Sequence, residues 1–198
     1  TPIIVFITGA NRGLGLGLVK GSVAKLGHVN SSFFFFFSSI VLGTALAPNL
    51  GYIVIAAVRN LAHLTAQEFT QLSTGEGSHV IVVKYEASIE QSAIDAVKEV
   101  TDYKERLGIS HLDIAVANAG ISKLYPLVKD VKRADIVEHI DVKMLSAKRC
   151  VIVLSYTQSA VEVDRKAIYA IMGSVASGLA YACLNLGYSK WKLIISRR

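Results

Sequence analysis

Apolar residues along this chain gather into short, nearly unbroken runs, separated by stretches in which they recur every three or four positions. The runs at 3–7, 52–58, 79–85, 111–116 and 166–172 are rich in valine and isoleucine. Continuous apolar runs of this length predict strands buried on both faces, not strands with one wet side. The intervening stretches predict helices: one beginning near Leu14, one over 61–72, one over 88–107 carried by Ile94, Val97 and Val100, and one over 128–153. Strand and helix therefore alternate, which predicts an α/β fold with a doubly wound parallel sheet.

Two stretches break the alternation. Residues 27–43 hold five consecutive phenylalanines, Phe33 to Phe37, between Ser31-Ser32 and Ser38-Ser39. The run fits neither period and sits where an α/β unit needs only a few connecting residues, so it is expected to lie outside the sheet. Its nearly uncharged part is shorter than the roughly 20 apolar residues of a spanning helix, and serines, Gly43 and Thr44 dilute it, which argues against membrane insertion. The second anomaly is the tail, 189–198. One reading covers both: a pyrimidine-rich tract encodes phenylalanine when translated, and Ser189-Lys190-Trp191 admits a splice-donor sequence, so both segments read as translated intron.

Composition narrows the function classes. With 198 residues, 52% of them hydrophobic, the chain suffices for one domain with a substantial core and is short for two, so 1–198 is expected to form a single domain. Lys190, Lys192, Arg197 and Arg198 supply four of the six net positive charges, making the basicity a tail property and nucleic acid a poor partner. Two cysteines, Cys150 and Cys183, build no disulfide framework, and the N-terminus lacks a signal-peptide pattern; both predict a reducing, cytoplasmic setting. The five histidines show no His-x-x-x-His spacing and no Cys-x-x-Cys occurs, so no metal site is expected.

The chemistry begins at Thr8-Gly9-Ala10-Asn11-Arg12-Gly13-Leu14-Gly15, which follows the first strand and opens the first helix. Closely spaced glycines let a backbone approach a pyrophosphate, and a helix beginning there aims its unpaired N–H groups at the phosphates. The segment predicts dinucleotide binding. At the end of the second strand, where an acid would hold a ribose 2′-hydroxyl and an arginine would accommodate a 2′-phosphate, stands Arg59, with Arg12 in the glycine loop as a second cation. NADP(H) is thus expected over NAD(H).

The glycine motif, Asn118-Ala119-Gly120 after the fourth strand, Ser174 after the fifth and Tyr188 fourteen residues later together resemble the short-chain dehydrogenase/reductase family. The resemblance covers nearly the whole chain outside the phenylalanine-rich stretch. Within that family the chain looks most like ketoreductases of the norsolorinic acid type. It implies a Rossmann-like fold that would continue past Arg198 with the rest of a helix, a sixth strand and a substrate lid, so the fold is expected to be cut short on its C-terminal side.

Carried over position by position, the resemblance puts Thr8, Gly9, Asn11, Arg12, Gly13, Leu14 and Gly15 along the pyrophosphate and adenosine side of the cofactor. Asn118, Ala119 and Gly120 would border the adenine ribose, and Glu86 and Ala87 would stand near adenine, with glutamate for the family's usual aspartate. Tyr188 would be the general acid toward a carbonyl, Ser174 would fix the carbonyl oxygen, and a lysine would lower the tyrosine's pKa. Lys192 is four residues from Tyr188 and on one helical face with it; Lys190 is the alternative. Lys143 replaces the asparagine that helps organise the family's active-site lysine, and a cation there would repel that lysine. The resemblance implies a small carbonyl or alcohol substrate and admits a homo-oligomer. The function expected is NADPH-dependent carbonyl reduction, impaired in this chain; the alternative is a non-catalytic dinucleotide-binding or regulatory protein.

Overall fold

A computed structural model describes residues 2–24, 51–103, 107, 109, 111–121, 128–150, 153, 168–172 and 193–197, the last two segments by their backbone course. The elements are β1 (Ile3–Thr8), α1 (Gly13–Val23), β2 (Tyr52–Val58), α2 (Leu64–Glu68), β3 (His79–Lys84), α3 (Glu90–Asp102), β4 (Ile114–Ala117), α4 (Arg133–His139), β5 (Ile168–Met172) and β6 (Leu193–Arg197). A 3-10 turn, Phe69–Gln71, extends α2. A widened π-helical turn, Ile140–Leu145, follows α4, and the helix resumes through Cys150. The phenylalanine-rich stretch 27–43 lies outside the described residues.

The strands form one sheet in the order β3-β2-β1-β4-β5-β6. All pairings from β3 to β5 are parallel, as the unbroken apolar runs predict. Successive side chains of a strand point to opposite faces, and two cores follow. Ile4, Phe6, Ile53 and Ile55 pack with Ala93, Ala96 and Val100 of α3 and with Val142, Cys150 and Val153. Val5, Ile7, Val54 and Ala56 pack on the other side with Leu18, Val19 and Val23 of α1 and with Ala66 and Phe69. The sheet is therefore covered on both faces, Rossmann-like and doubly wound. Complete burial of Cys150 pushes its thiol up to about 12, making it a packing residue with no accessible thiolate.

The tail differs from expectation. Leu193–Arg197 is a strand paired antiparallel to β5, with Met172 opposite Leu193 and Ile168 opposite Arg197, while the Tyr188–Lys192 spacing lies outside the described residues. Ile194 and Ile195 are β-branched, and the open edge of β5 offers unpaired backbone groups.

Helix starts also moved, for local reasons. Asn60 Oδ1 accepts the Ala62 N–H at 3.0 Å and His63 Nδ1 accepts the Thr65 N–H at 3.4 Å, so α2 starts at Leu64 and not at residue 61. The Glu86 carboxylate accepts from the Ser88 N–H at 3.3 Å and from its hydroxyl at 3.1 Å, which holds Ser88 in a turn and delays α3 to Glu90. At β4, Asp113 is taken up by a clamp: its N–H donates to the Ile4 carbonyl at 2.9 Å, and its carboxylate accepts the Ile4 N–H at 2.9 Å. His111 lies 3.1 Å from the other carboxylate oxygen. The strand pairing begins only after this clamp.

Candidate dinucleotide site

The strand order turns back on itself between β1 and β4, since β2 and β3 lie to one side and β5 to the other. In an open α/β sheet the crevice at the carboxyl ends of two such strands is where ligands bind. Both motifs singled out in the sequence sit there: the glycine turn leaves β1 and Asn118-Ala119-Gly120 leaves β4.

Side chains knit the two motifs together. Thr8 is fully buried, and its hydroxyl accepts the N–H groups of Asn118 and Ala119, each at 2.9 Å. Its proton points to the Val116 carbonyl at 3.4 Å. Thr8 thus serves the site from behind, holding the β4 turn. Asn118 returns the favour through its amide, which donates to the carbonyls of Thr8 at 2.9 Å and Gly9 at 3.2 Å.

The glycines are required for different reasons. Gly9 and Gly13 adopt φ values of 64° and 54°, in the left-handed region. Gly15 is buried, and a Cβ there would strike the Gly9 carbonyl oxygen and lie 2.6 Å from the Asn118 amide nitrogen. Gly13 is exposed, and a Cβ there would meet nothing within 4 Å. The turn is therefore packed on its inner side and open on its outer side. At the open side α1 begins with no acidic residue in its first turn and no side-chain cap. First-turn N–H groups have no intrahelical partners, and together with the dipole they suit an anion. This cradle fits a pyrophosphate. Asn11 and Leu14 are half-buried beside it, Arg12 is exposed, and Gly120 is exposed on the β4 side.

The ends of β2 and β3 form a second corner, where the sequence places Arg59, Glu86 and Ala87. Arg59 is exposed and its Nε lies 3.9 Å from a carboxylate oxygen of half-buried Glu86. The Glu86 backbone N–H donates to the Ser92 hydroxyl at 2.8 Å, which anchors the residue at the start of α3. Ala87 is buried, and its carbonyl accepts Nη1 of Arg149 at 2.6 Å. The same nitrogen donates to the Asp141 carbonyl in the widened turn at 3.0 Å. Sequence reasoning missed Arg149. Its signal is a cation directly before Cys150, on a helix whose neighbouring positions Val142, Ser146 and Val153 are buried.

Lys143 lies in the widened turn with its side chain exposed. Ser174, Tyr188, Lys190 and Lys192 lie outside the described residues. Among the described residues no cluster of three metal-ligating side chains occurs, and no helix is long and apolar enough to cross a membrane.

No family model matches the chain. Curated relatives do. A norsolorinic acid ketoreductase of Dothistroma septosporum is 29% identical over 140 residues, which cover 71% of this chain and 42% of that protein. A norsolorinic acid ketoreductase of Emericella nidulans is 33% identical over 123 residues, covering 62% of this chain and 36% of the relative. A short-chain dehydrogenase of Pyricularia oryzae is 29% identical over 116 residues, 59% of this chain and 35% of that protein. The chain therefore spans well under half the length of these relatives. Among solved structures, an NADPH-bound carbonyl reductase from chicken fatty liver superposes with a TM-score of 0.54 at 22% identity, over 80% of this chain and 49% of the other. A reductase from Brucella melitensis with bound NAD superposes at 0.52 and 20% identity, over 78% and 47%. By sequence the chain is a relative of the short-chain dehydrogenases and reductases, and it shares their fold.

Proposed function

We propose that this chain is the dinucleotide-binding part of an NADP(H)-dependent oxidoreductase that interconverts a small carbonyl compound and its alcohol. One observation carries the reading: a glycine turn closed by Gly15 and Asn118 on its inner side and open at Gly13, at the reversal of strand order. The glycine turn and the start of α1 hold the pyrophosphate, the Asn118–Gly120 turn borders a ribose, and Arg59 with Arg12 takes the 2′-phosphate. The dinucleotide, when bound, supplies the hydride. By resemblance, Tyr188 delivers the proton to the carbonyl oxygen, Ser174 holds that oxygen, and Lys192 or Lys190 keeps the tyrosine acidic enough to act near neutral pH.

Lys143 favours a second reading, a dinucleotide-binding protein without turnover, because a cation in the widened turn opposes a catalytic lysine. The exposed apolar row Ile136, Ile140 and Met144 supports pairing of copies through α4. The cysteine count supports a reducing, cytoplasmic setting for a single domain.

A titration followed by nicotinamide fluorescence tests the reading. NADPH is expected to bind more tightly than NADH, and Arg59→Asp to weaken NADPH at least about tenfold while sparing NADH, the loss of one charge-assisted contact. Equal loss for both cofactors places Arg59 elsewhere. A ketone panel then separates the two catalytic readings: turnover that rises in Lys143→Asn supports the reductase, and none in either form supports the binding protein.

A further inference from the structure

We infer that Glu86 is a specificity-determining residue that opposes the 2′-phosphate by holding Arg59. The inference rests on the reading that Arg59 takes that phosphate.

Glu86 occupies the end of β3, beside the end of β2 that carries Arg59, because the two strands pair in parallel with Val58 opposite Lys84. The Tyr85 N–H donates to the Val58 carbonyl at 2.9 Å, so backbone pairing continues up to the two charged residues. Their side chains meet at 3.9 Å. Glu86 is the anchored partner and Arg59 the solvated one. The glutamate side chain is 24% exposed, its backbone is tied to Ser92, and one carboxylate oxygen is engaged by Ser88, which leaves the other facing Arg59. The arginine side chain is 72% exposed.

Two consequences follow for a ligand bearing a 2′-phosphate at this corner. Arg59 must leave the carboxylate, or share its charge with it, before it can hold the phosphate. The carboxylate itself is a like charge beside the phosphate. A ligand ending in a free 2′-hydroxyl meets neither obstacle, and the carboxylate can accept a hydrogen bond from it. Glu86 therefore narrows the preference that Arg59 creates. Because the pair is largely in water, the effect is modest, about threefold to fivefold.

The test uses the whole chain and two probes without a nicotinamide, 2′-phospho-ADP-ribose and ADP-ribose, titrated calorimetrically at low salt. Glu86→Gln keeps the Ser88 acceptor and removes the charge; it is expected to tighten 2′-phospho-ADP-ribose about threefold to fivefold and leave ADP-ribose within about twofold. In an Arg59→Ala background the same substitution should change the ratio of the two affinities by less than about twofold. Glu86→Asp withdraws the carboxylate by one methylene and should give an intermediate gain. If Arg59→Ala lowers the ratio while Glu86→Gln leaves it unchanged, Glu86 has no part in selectivity and the inference is overturned, although Arg59 still reads the phosphate. If Arg59→Ala leaves the ratio unchanged, the NADP(H) reading falls and the inference with it.

Discussion

At the β1–β4 crevice, buried Thr8 and half-buried Asn118 shape the glycine turn through hydrogen bonds of 2.9–3.2 Å to backbone groups. At the β2–β3 corner, Arg59 and Glu86 meet at 3.9 Å with the arginine largely solvated. The first arrangement is tightly constrained: loss of the Thr8 hydroxyl leaves the Ala119 N–H without its acceptor, and loss of the Asn118 amide takes a donor from the Thr8 and Gly9 carbonyls, at about 1–3 kcal/mol each. The second is worth at most about 1 kcal/mol and can be rearranged by a ligand. The contrast divides the work. On the function proposed above, the crevice is the rigid seat for the pyrophosphate common to such dinucleotides, and the corner chooses among them with solvated charges that salt screens.

The largest effect should come from filling the inner side of the turn. Gly15→Ala puts a methyl group against the Gly9 carbonyl and the Asn118 amide, neither of which can yield without breaking the knit between β1 and β4. Overpacking of this kind costs about 3 kcal/mol, at the upper end of its usual range, which for a chain of this size lowers Tm by roughly 6–12 °C. Thermal melting checks it, and binding of ADP-ribose should be lost with it. A variant that melts with the parent would mean that the turn is looser than its hydrogen bonds imply.

Next comes the strut. Thr8→Val keeps the shape but removes the acceptor of the Ala119 N–H and leaves the Asn118 N–H only the Val116 carbonyl at 3.1 Å, and is expected to cost about 1–3 kcal/mol, whereas Thr8→Ser, which keeps the hydroxyl, should cost under about 1. Denaturant unfolding of the pair distinguishes the two roles. Equal losses would trace the effect to the missing methyl contacts and not to the hydroxyl.

The same contrast explains what could be read from the sequence. The sheet and the crevice were legible because unbroken apolar runs fix a parallel sheet, and glycines that must be glycines mark the turn. Strand and helix ends were less so, since they depend on single side chains such as Asn60, Glu86 and Asp113 reaching backbone groups. Thr8, inside the motif, reads from the sequence as a ligand contact, and its burial and its bonds to the Asn118 and Ala119 N–H groups, which no local pattern announces, give it the place of a strut behind the turn. Arg149 and the edge strand Leu193–Arg197 were missed because each is decided by a partner far away in sequence, the Ala87 carbonyl for one and the open edge of β5 for the other. Local periodicity carries no information about either.

A smaller loss of stability than either Gly15→Ala or Thr8→Val, and the sharpest test of the comparison, should come from Gly13. It belongs to the same turn as Gly15 but faces outward, and a Cβ there meets no atom within 4 Å. The only cost to folding is therefore the positive φ of 54°, which an L-residue adopts at a penalty of about 1–2 kcal/mol. Gly13→Ala should lower Tm by a few degrees, about 2–4 °C per kcal/mol for a chain of this length. Its methyl group would nevertheless stand in the open side of the cradle, where on the proposed reading a pyrophosphate approaches the backbone, so ADP-ribose affinity should fall about tenfold or more, although a folding cost alone leaves the affinity of the folded chain unchanged. Melting and titration of the same preparation separate the two quantities. If Tm falls and affinity does not, the open side of the turn is not the phosphate side.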